Sequence, residues 1–214
     1  MKNLLGTIAL AAIMTAGAVQ IASAVPITLT ATLVGSNEVP PSGSPGTGFA
    51  TVTIDSVLNT MQVNINFSGL LSTTSAGAPS GTTASHIHCC LASPQLTGVN
   101  AGVATTTPTF PGFPLGVTSG TYSQLFDMTL ASSYNPSFIS GSLVPSHTVS
   151  EAEAVLFAGL FNQETYLNIH TNAFPGGEIR GFLIPVPEPI TLSLFSAGLA
   201  GAIAMRRRLK KKSG

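Results

Sequence analysis

Three histidines in two separate segments have the residue type and the spacing of a metal site. His86 and His88 stand two residues apart in a Ser-His-Ile-His segment, and His170 lies in a later segment of alternating character. Side chains at i and i+2 of a β-strand point to the same face, so both imidazoles can reach one ion if an adjacent strand supplies His170. Imidazole ligands suit zinc or copper. The alternative is that these rings hydrogen-bond to the backbone, or to Tyr166 and Asn168, and tie loops together.

Two adjacent cysteines, Cys89 and Cys90, directly follow His88. An exported chain would favour a disulfide, although neighbouring cysteines close only a small and strained ring. Two free thiols, bridges between molecules, and soft ligands that share a metal ion with His88 are the alternatives. A thiolate in that position would favour Cu(I) or Zn(II). The residues themselves leave these possibilities open.

Arg180 is the single arginine or lysine between residues 25 and 186. A charge that is buried in a β-domain must be paired, because an unpaired one costs several kcal/mol. Glu178 lies two residues earlier on the same predicted strand face, and Glu38 lies in an early motif. We predict a structural ion pair of Arg180 with these glutamates, which fastens the first loop to the last strand. The alternative is an arginine that guides anions to a metal.

The region between the two ends of the chain is acidic and free of lysine. The formal net charge of +0 for the whole chain arises because basic residues are concentrated near the termini. An acidic region of this kind is a poor candidate for binding nucleic acid. It also lacks the G-x-S-x-G, P-loop and dinucleotide-binding signatures. We therefore expect a domain that is not an enzyme. The acidic residues are Glu38, Asp55, Asp127, Glu151, Glu153, Glu164 and Glu178.

Hydrophobic alternation with period two predicts the elements that must position these side chains. Strands are expected at residues 27–34, 50–55, 61–67, 83–90, 125–130, 165–171 and 178–184. One segment differs, because Ser150 and Glu153 have the spacing of a capping box and predict a helix over 151–161. Short, evenly spaced strands with few helices indicate an all-β fold. We predict an antiparallel, Greek-key-like β-sandwich with one short crossing helix.

The N-terminus has the features of a secretory signal peptide over residues 1–24. Lys2 precedes an apolar run, and Ala22, Ser23 and Ala24 form a small-x-small cleavage site. The chain therefore divides into a signal peptide (1–24), a β domain (25–185) and a C-terminal segment (186–214). We expect an exported bacterial protein.

The C-terminal segment has three parts in a fixed order. Pro187, Glu188 and Pro189 precede an apolar stretch over residues 190–205, which predicts a short transmembrane helix. A basic cluster follows and should stay on the cytoplasmic side. This order resembles the PEP-CTERM sorting signal of bacteria with exopolysaccharide-rich envelopes. The resemblance implies an inner-membrane-anchored precursor, processing by an exosortase, and release or attachment at the cell surface. An ordinary C-terminal anchor is the alternative. The basic residues are Arg206, Arg207, Arg208, Lys210, Lys211 and Lys212.

Three motifs in the region between the ends occur in the order and spacing of a known family. They are the Leu-Val-Gly-Ser-Asn-Glu-Val-Pro-Pro segment at 33–41, the Ser-His-Ile-His segment at 85–88, and the segment at 166–181 that ends in Glu-Ile-Arg-Gly. Together they resemble the CHRD domain over residues 27–184. The resemblance implies an all-β extracellular module and no defined activity.

The histidine pattern is also similar to that of Cu/Zn superoxide dismutase. A His-x-His strand, a later single-histidine strand and a following Arg-Gly agree with it, but only His147 lies between the two strands, so the zinc loop is missing. We expect a non-enzymatic surface or extracellular-matrix module that interacts with envelope polysaccharide or other surface proteins. The alternative is a copper- or zinc-binding domain that uses His86, His88 and His170. This alternative extends to a redox activity of the bound metal.

Overall fold

The computed structural model describes residues 26–73, 81–187 and 198–199. The predicted signal peptide with Ala22 and Ala24, the motif residues Glu188 and Pro189, and nearly all of the apolar C-terminal stretch lie outside the described residues. Within the described residues, no helix is long and apolar enough to cross a membrane.

Eight strands and two short α-helices make up the described chain. The strands are β1 (Ile27–Val34), β2 (Thr47–Asp55), β3 (Thr60–Ser68), β4 (Thr82–His88), β5 (Gly120–Asp127), β6 (Tyr166–Thr171), β7 (Ile179–Phe182) and β8 (Ile184–Pro185). The helices are α1 (Pro136–Ile139) and α2 (Val149–Phe161), and 3-10 turns occur at Gly35–Asn37 and Ala131–Ser133. Each predicted strand has a counterpart, and the predicted antiparallel β class is confirmed.

The strands join a single antiparallel sheet in the order β4-β6-β7-β1-β2-β3-β5, with β8 paired to β1. The sheet curls into a half-barrel whose inner side carries the alternate apolar residues that periodicity predicted. Phe110 from the loop between β4 and β5, Phe138 from α1 and Leu156 from α2 complete the same buried core. The core is therefore closed by helices and a long loop that pack against the inner face of the sheet.

Helix α2 confirms the predicted helix but begins two residues earlier. Its N-cap is Thr148, whose hydroxyl accepts a hydrogen bond from the backbone N–H of Glu151 at 3.2 Å. The Glu151 carboxylate in turn accepts from the backbone N–H of His147 at 2.9 Å. The predicted capping box of Ser150 and Glu153 was wrong because Thr148 and Glu151 have the same spacing and form the box instead.

Helix α1 was not predicted from the sequence. Asn135 caps it by accepting a hydrogen bond from the backbone N–H of Ser137, and Pro136 occupies its first turn. An Asn-Pro pair is a recognised start signal for a helix. The element escaped notice because four residues are too few to show helical periodicity.

The sheet is buried on both faces where β4, β6 and β7 lie side by side. Along β6, five of the six residues are buried, whereas β3 alternates between buried and more exposed residues. Loop residues between 99 and 108 and the turn Gly35–Asn37 cover the outer face of this region. The outer face of the sheet is therefore also buried in this region. The polar side chains singled out above lie beneath the covering loops.

Candidate metal centre

His86, His88 and His170 meet on the outer face of β4 and β6. The two strands pair in antiparallel register, with His170 opposite Ala84 and His86 opposite Asn168. The ring centroids of His86 lie 5.9 Å from those of His88 and 5.2 Å from those of His170. One nitrogen from each ring lies within 4.8 Å of the other two. The convergence that strand parity predicted is therefore present in the structure.

Each imidazole is held by a backbone carbonyl on its outer side. His86 Nε2 lies 2.6 Å from the carbonyl oxygen of Pro108, and His88 Nδ1 lies 2.8 Å from that of Ala101. His170 Nδ1 lies 2.9 Å from the carbonyl oxygen of Pro175. A carbonyl only accepts hydrogen bonds, so each of these nitrogens carries the proton and donates. This fixes the tautomer of all three rings.

The second nitrogen of each ring has no hydrogen-bond partner. His86 Nδ1, His88 Nε2 and His170 Nε2 are all buried and unpartnered. Burial lowers the pKa of His86 and of His88 to about 4, and burial also lowers the pKa of His170. The rings are therefore uncharged at neutral pH, and each keeps a free lone pair on its unpartnered nitrogen. Each ring thus makes the backbone hydrogen bond that the alternative interpretation expects, and each leaves its other nitrogen free.

Asn168 and Tyr166 complete the surroundings of the histidines. Asn168 pairs with His86 across the strands, and its buried Oδ1 also has no hydrogen-bond partner. The Tyr166 ring stacks on His88 with centroids 4.6 Å apart, and its hydroxyl bonds to the backbone of Ala101. The sequence suggested Asn168 only as a hydrogen-bond partner of the histidines. Its parity with His170 on the same strand was the signal that it belongs to the same site.

Arg180 lies beside this cluster and is fully buried. Its register partner on β6 is Asn168, and its guanidinium carbon lies 4.4 Å from the centroid of the Tyr166 ring. The guanidinium donates to the carbonyl oxygen of Asn37, to Asn100 Oδ1 at 2.8 Å and to the carbonyl oxygen of Val99 at 3.3 Å. Because Nε, Nη1 and Nη2 all donate to oxygens of the chain, this geometry does not favour the anion-guiding interpretation.

The structure does not bring Arg180 into an ion pair with Glu38 or Glu178. It fastens the first loop to β7, as expected, but it does so through backbone carbonyls and an amide. Glu178 lies in a bend just before β7, which begins at Ile179, so the strand parity that placed Glu178 beside Arg180 does not extend to it. Its carboxylate accepts instead from Ser44 Oγ at 2.5 Å, from the Leu71 N–H at 2.7 Å, and from Thr171 Oγ1.

Glu38 is buried near Arg180 without contacting it. Its carboxyl packs against Gly177, where an added Cβ would lie 2.6 Å from Oε1, and Oε1 has no hydrogen-bond partner. Burial raises the pKa of Glu38 from 4.5 to about 7, and the positive charge of Arg180 opposes this shift. The Glu38 carboxyl is therefore partly protonated at neutral pH, which explains how it can remain buried without an ion pair.

Glu38→Gln is expected to change the pH dependence of stability. A carboxyl whose pKa is higher in the folded chain favours folding most below pH 4.5, and this contribution is lost as the pH rises through 7. Glutamine does not titrate, so wild type should lose about 3 kcal/mol relative to the variant between these pH values. Urea denaturation of both proteins at each pH measures this difference in the free energy of unfolding. The histidines titrate in both proteins, so their contribution cancels in the comparison. A stability difference that does not vary with pH would contradict the prediction.

Cys89 and Cys90 form a disulfide in the structure. Cys89 points to the inner side of the sheet, opposite to His88, and belongs to the hydrophobic core. Gly159 of α2 packs against the pair so closely that a Cβ there would lie 2.5 Å from one sulfur and 2.7 Å from the other. In this state the sulfurs contribute to packing, and the unpartnered histidine nitrogens lie on the opposite face.

The fold and the site define a mostly β, antiparallel domain with three converging histidines on its outer face. The family model described as the CHRD domain matches residues 29–183, so the chain belongs to the CHRD family. A PEP-CTERM protein-sorting motif matches residues 185–208 and implies that the chain is exported, processed by an exosortase and sorted to the membrane or cell surface. The two resemblances seen in the sequence are confirmed. No curated protein and no solved structure matches the chain.

Proposed function

We propose that this exported CHRD protein is a surface module that binds a transition-metal ion through His86, His88 and His170, and that it is not an enzyme. The observation that carries the proposal is that three histidines converge, with one nitrogen from each ring within 4.8 Å of the other two, and that each ring has a buried nitrogen without a hydrogen-bond partner. Buried polar atoms are nearly always satisfied, and each exception calls for an explanation.

The unpartnered atoms have the chemistry of a cation site. Four of the six buried side-chain atoms without a partner among the described residues lie here, namely the three ring nitrogens and Asn168 Oδ1. Each ring uses its single N–H to donate a hydrogen bond to a carbonyl, so the other nitrogen of each ring is an acceptor. A water molecule has only two protons to donate, whereas one metal ion can accept a lone pair from every ring.

The outer hydrogen bonds of the rings match those of known metal ligands. A histidine that binds a metal almost always donates its other ring N–H to a carbonyl, a carboxylate or water, which fixes the ring and the tautomer. Pro108, Ala101 and Pro175 supply such carbonyls here. The rings are thus oriented before any ion arrives, which lowers the entropic cost of binding.

Titration of the purified full-length chain with Zn(II) and copper tests the proposal. We expect binding at micromolar or lower concentration, and His88→Ala should weaken it by about 100-fold or more, because a buried ligand is lost from a set of three. His147→Ala is the matched control, since His147 is exposed and lies outside the cluster. Binding weaker than about 10 μM, or equal binding by wild type and His88→Ala, would refute the metal site.

A further inference from the structure

The proposed metal site has no anionic ligand. Its four candidate ligand atoms are three neutral imidazole nitrogens and one carboxamide oxygen. The groups that hold the rings from behind are backbone carbonyls, which are also uncharged. Among the described residues, no carboxylate hydrogen-bonds to any of the three histidines.

A positively charged side chain packs beside the histidine cluster. The guanidinium of Arg180 lies 4.4 Å from the centroid of Tyr166, and that ring stacks on His88. The charge of Glu38 also acts on Tyr166. Burial raises the pKa of Glu38 to about 7, so this carboxyl carries only part of a negative charge at neutral pH. The surroundings therefore offer little compensation for a buried cation.

We infer that the ion held by His86, His88 and His170 is copper in the +1 state. This inference rests on the proposed metal site and adds the identity and charge of the ion. The desolvation penalty of an ion rises steeply with its charge, so a buried site without anions favours a monovalent ion over Zn(II) or Cu(II). Imidazole is a ligand that suits copper.

Zinc would have to complete its coordination shell here with a neutral group. Zn(II) is almost always four-coordinate in proteins, and with three histidines it takes a water or another ligand in the fourth position. The fourth candidate here is the neutral Asn168 carboxamide, which lies opposite His86 in the sheet. Replacing this group by a carboxylate of nearly the same shape is therefore the most direct test of the charge argument.

The experiment compares two ions on the full-length chain. Cu(I) affinity is measured by competition with bicinchoninate under ascorbate, and Zn(II) affinity by calorimetric titration. We expect wild type to bind Cu(I) about 100-fold or more tightly than Zn(II). Asn168→Asp should strengthen Zn(II) binding by about tenfold or more, because a negative charge stabilises a divalent ion more than a monovalent one. The ratio of Cu(I) affinity to Zn(II) affinity should therefore fall. Asn66→Asp makes the same change of charge on β3, four strands away from β6, and should leave the ratio unchanged.

The outcomes separate this inference from the proposed function. No binding of either ion would overturn both. Zn(II) binding as tight as Cu(I) in wild type would overturn the copper assignment and leave the metal site standing, and this comparison does not depend on the folding of any variant. An unchanged ratio in Asn168→Asp would overturn the charge argument. Cu(I) binding that survives unchanged in His88→Ala would show that copper does not depend on the three histidines and would overturn the assignment.

Discussion

Arg180→Ala should lower the free energy of unfolding by about 4 kcal/mol. The side chain is fully buried, and its loss leaves the carbonyl oxygens of Asn37 and Val99 and the amide oxygen of Asn100 without their donor. Each buried acceptor that loses its partner costs about 1–3 kcal/mol, and the cavity beside Tyr166 adds to this. Urea denaturation followed by far-UV circular dichroism measures the change.

Two further variants separate the causes of that loss. Arg180→Lys keeps a positive charge but not the planar fork, so it should recover less than half of the stability. Asn100→Ala removes one acceptor while the arginine stays, and it should cost only about 1 kcal/mol. If Arg180→Ala unfolds at the same urea concentration as wild type, the side chain is solvated and does not fasten the first loop to β7.

The sequence was sufficient to predict which face of its strand each of the three clustered histidines occupies. Alternation placed His86 and His88 on one side of β4 and separated His170 from the core residues of β6. This succeeds because strand parity is a local property of the backbone. The pairing of β4 with β6 was assumed and not predicted. About eighty residues separate the two strands, and pairing over such a sequence distance is decided by the whole fold.

The hydrogen-bond partners of Arg180 could not be predicted from the local sequence pattern. A carboxylate was the expected partner, but Asn37, Val99 and Asn100 lie in irregular segments whose carbonyl directions no periodicity reveals. Glu178 was assigned by parity to a strand that begins one residue later. The same limit applies to the ring carbonyls of the metal centre, which come from loops. The nitrogens of the site could be predicted, whereas the groups that orient them could not.

Glu178→Ala should also lower the free energy of unfolding by about 4 kcal/mol. The Glu178 carboxylate is fully buried and joins three segments, because it accepts from Ser44, from the backbone of Leu71 and from Thr171. Hydrogen bonds to a charged acceptor contribute about 1.5–3 kcal/mol each, and they are not additive when they share one group. Thermal and urea unfolding measure the loss.

Glu178→Gln keeps the shape of the side chain and isolates the contribution of the charge. Its amide N–H₂ would face donors, and the hydroxyls of Ser44 and Thr171 already accept from the backbone N–H groups of Gly46 and Phe174, so they have little freedom to reorient. We expect it to lose about half as much stability as Glu178→Ala. Glu164→Ala is the control, since that half-buried carboxylate takes no side-chain hydrogen bond among the described residues and should change stability by no more than about 0.5 kcal/mol. If Glu178→Ala and Glu164→Ala behaved alike, the three donors would have to find other acceptors, and Glu178 would not be what joins these segments.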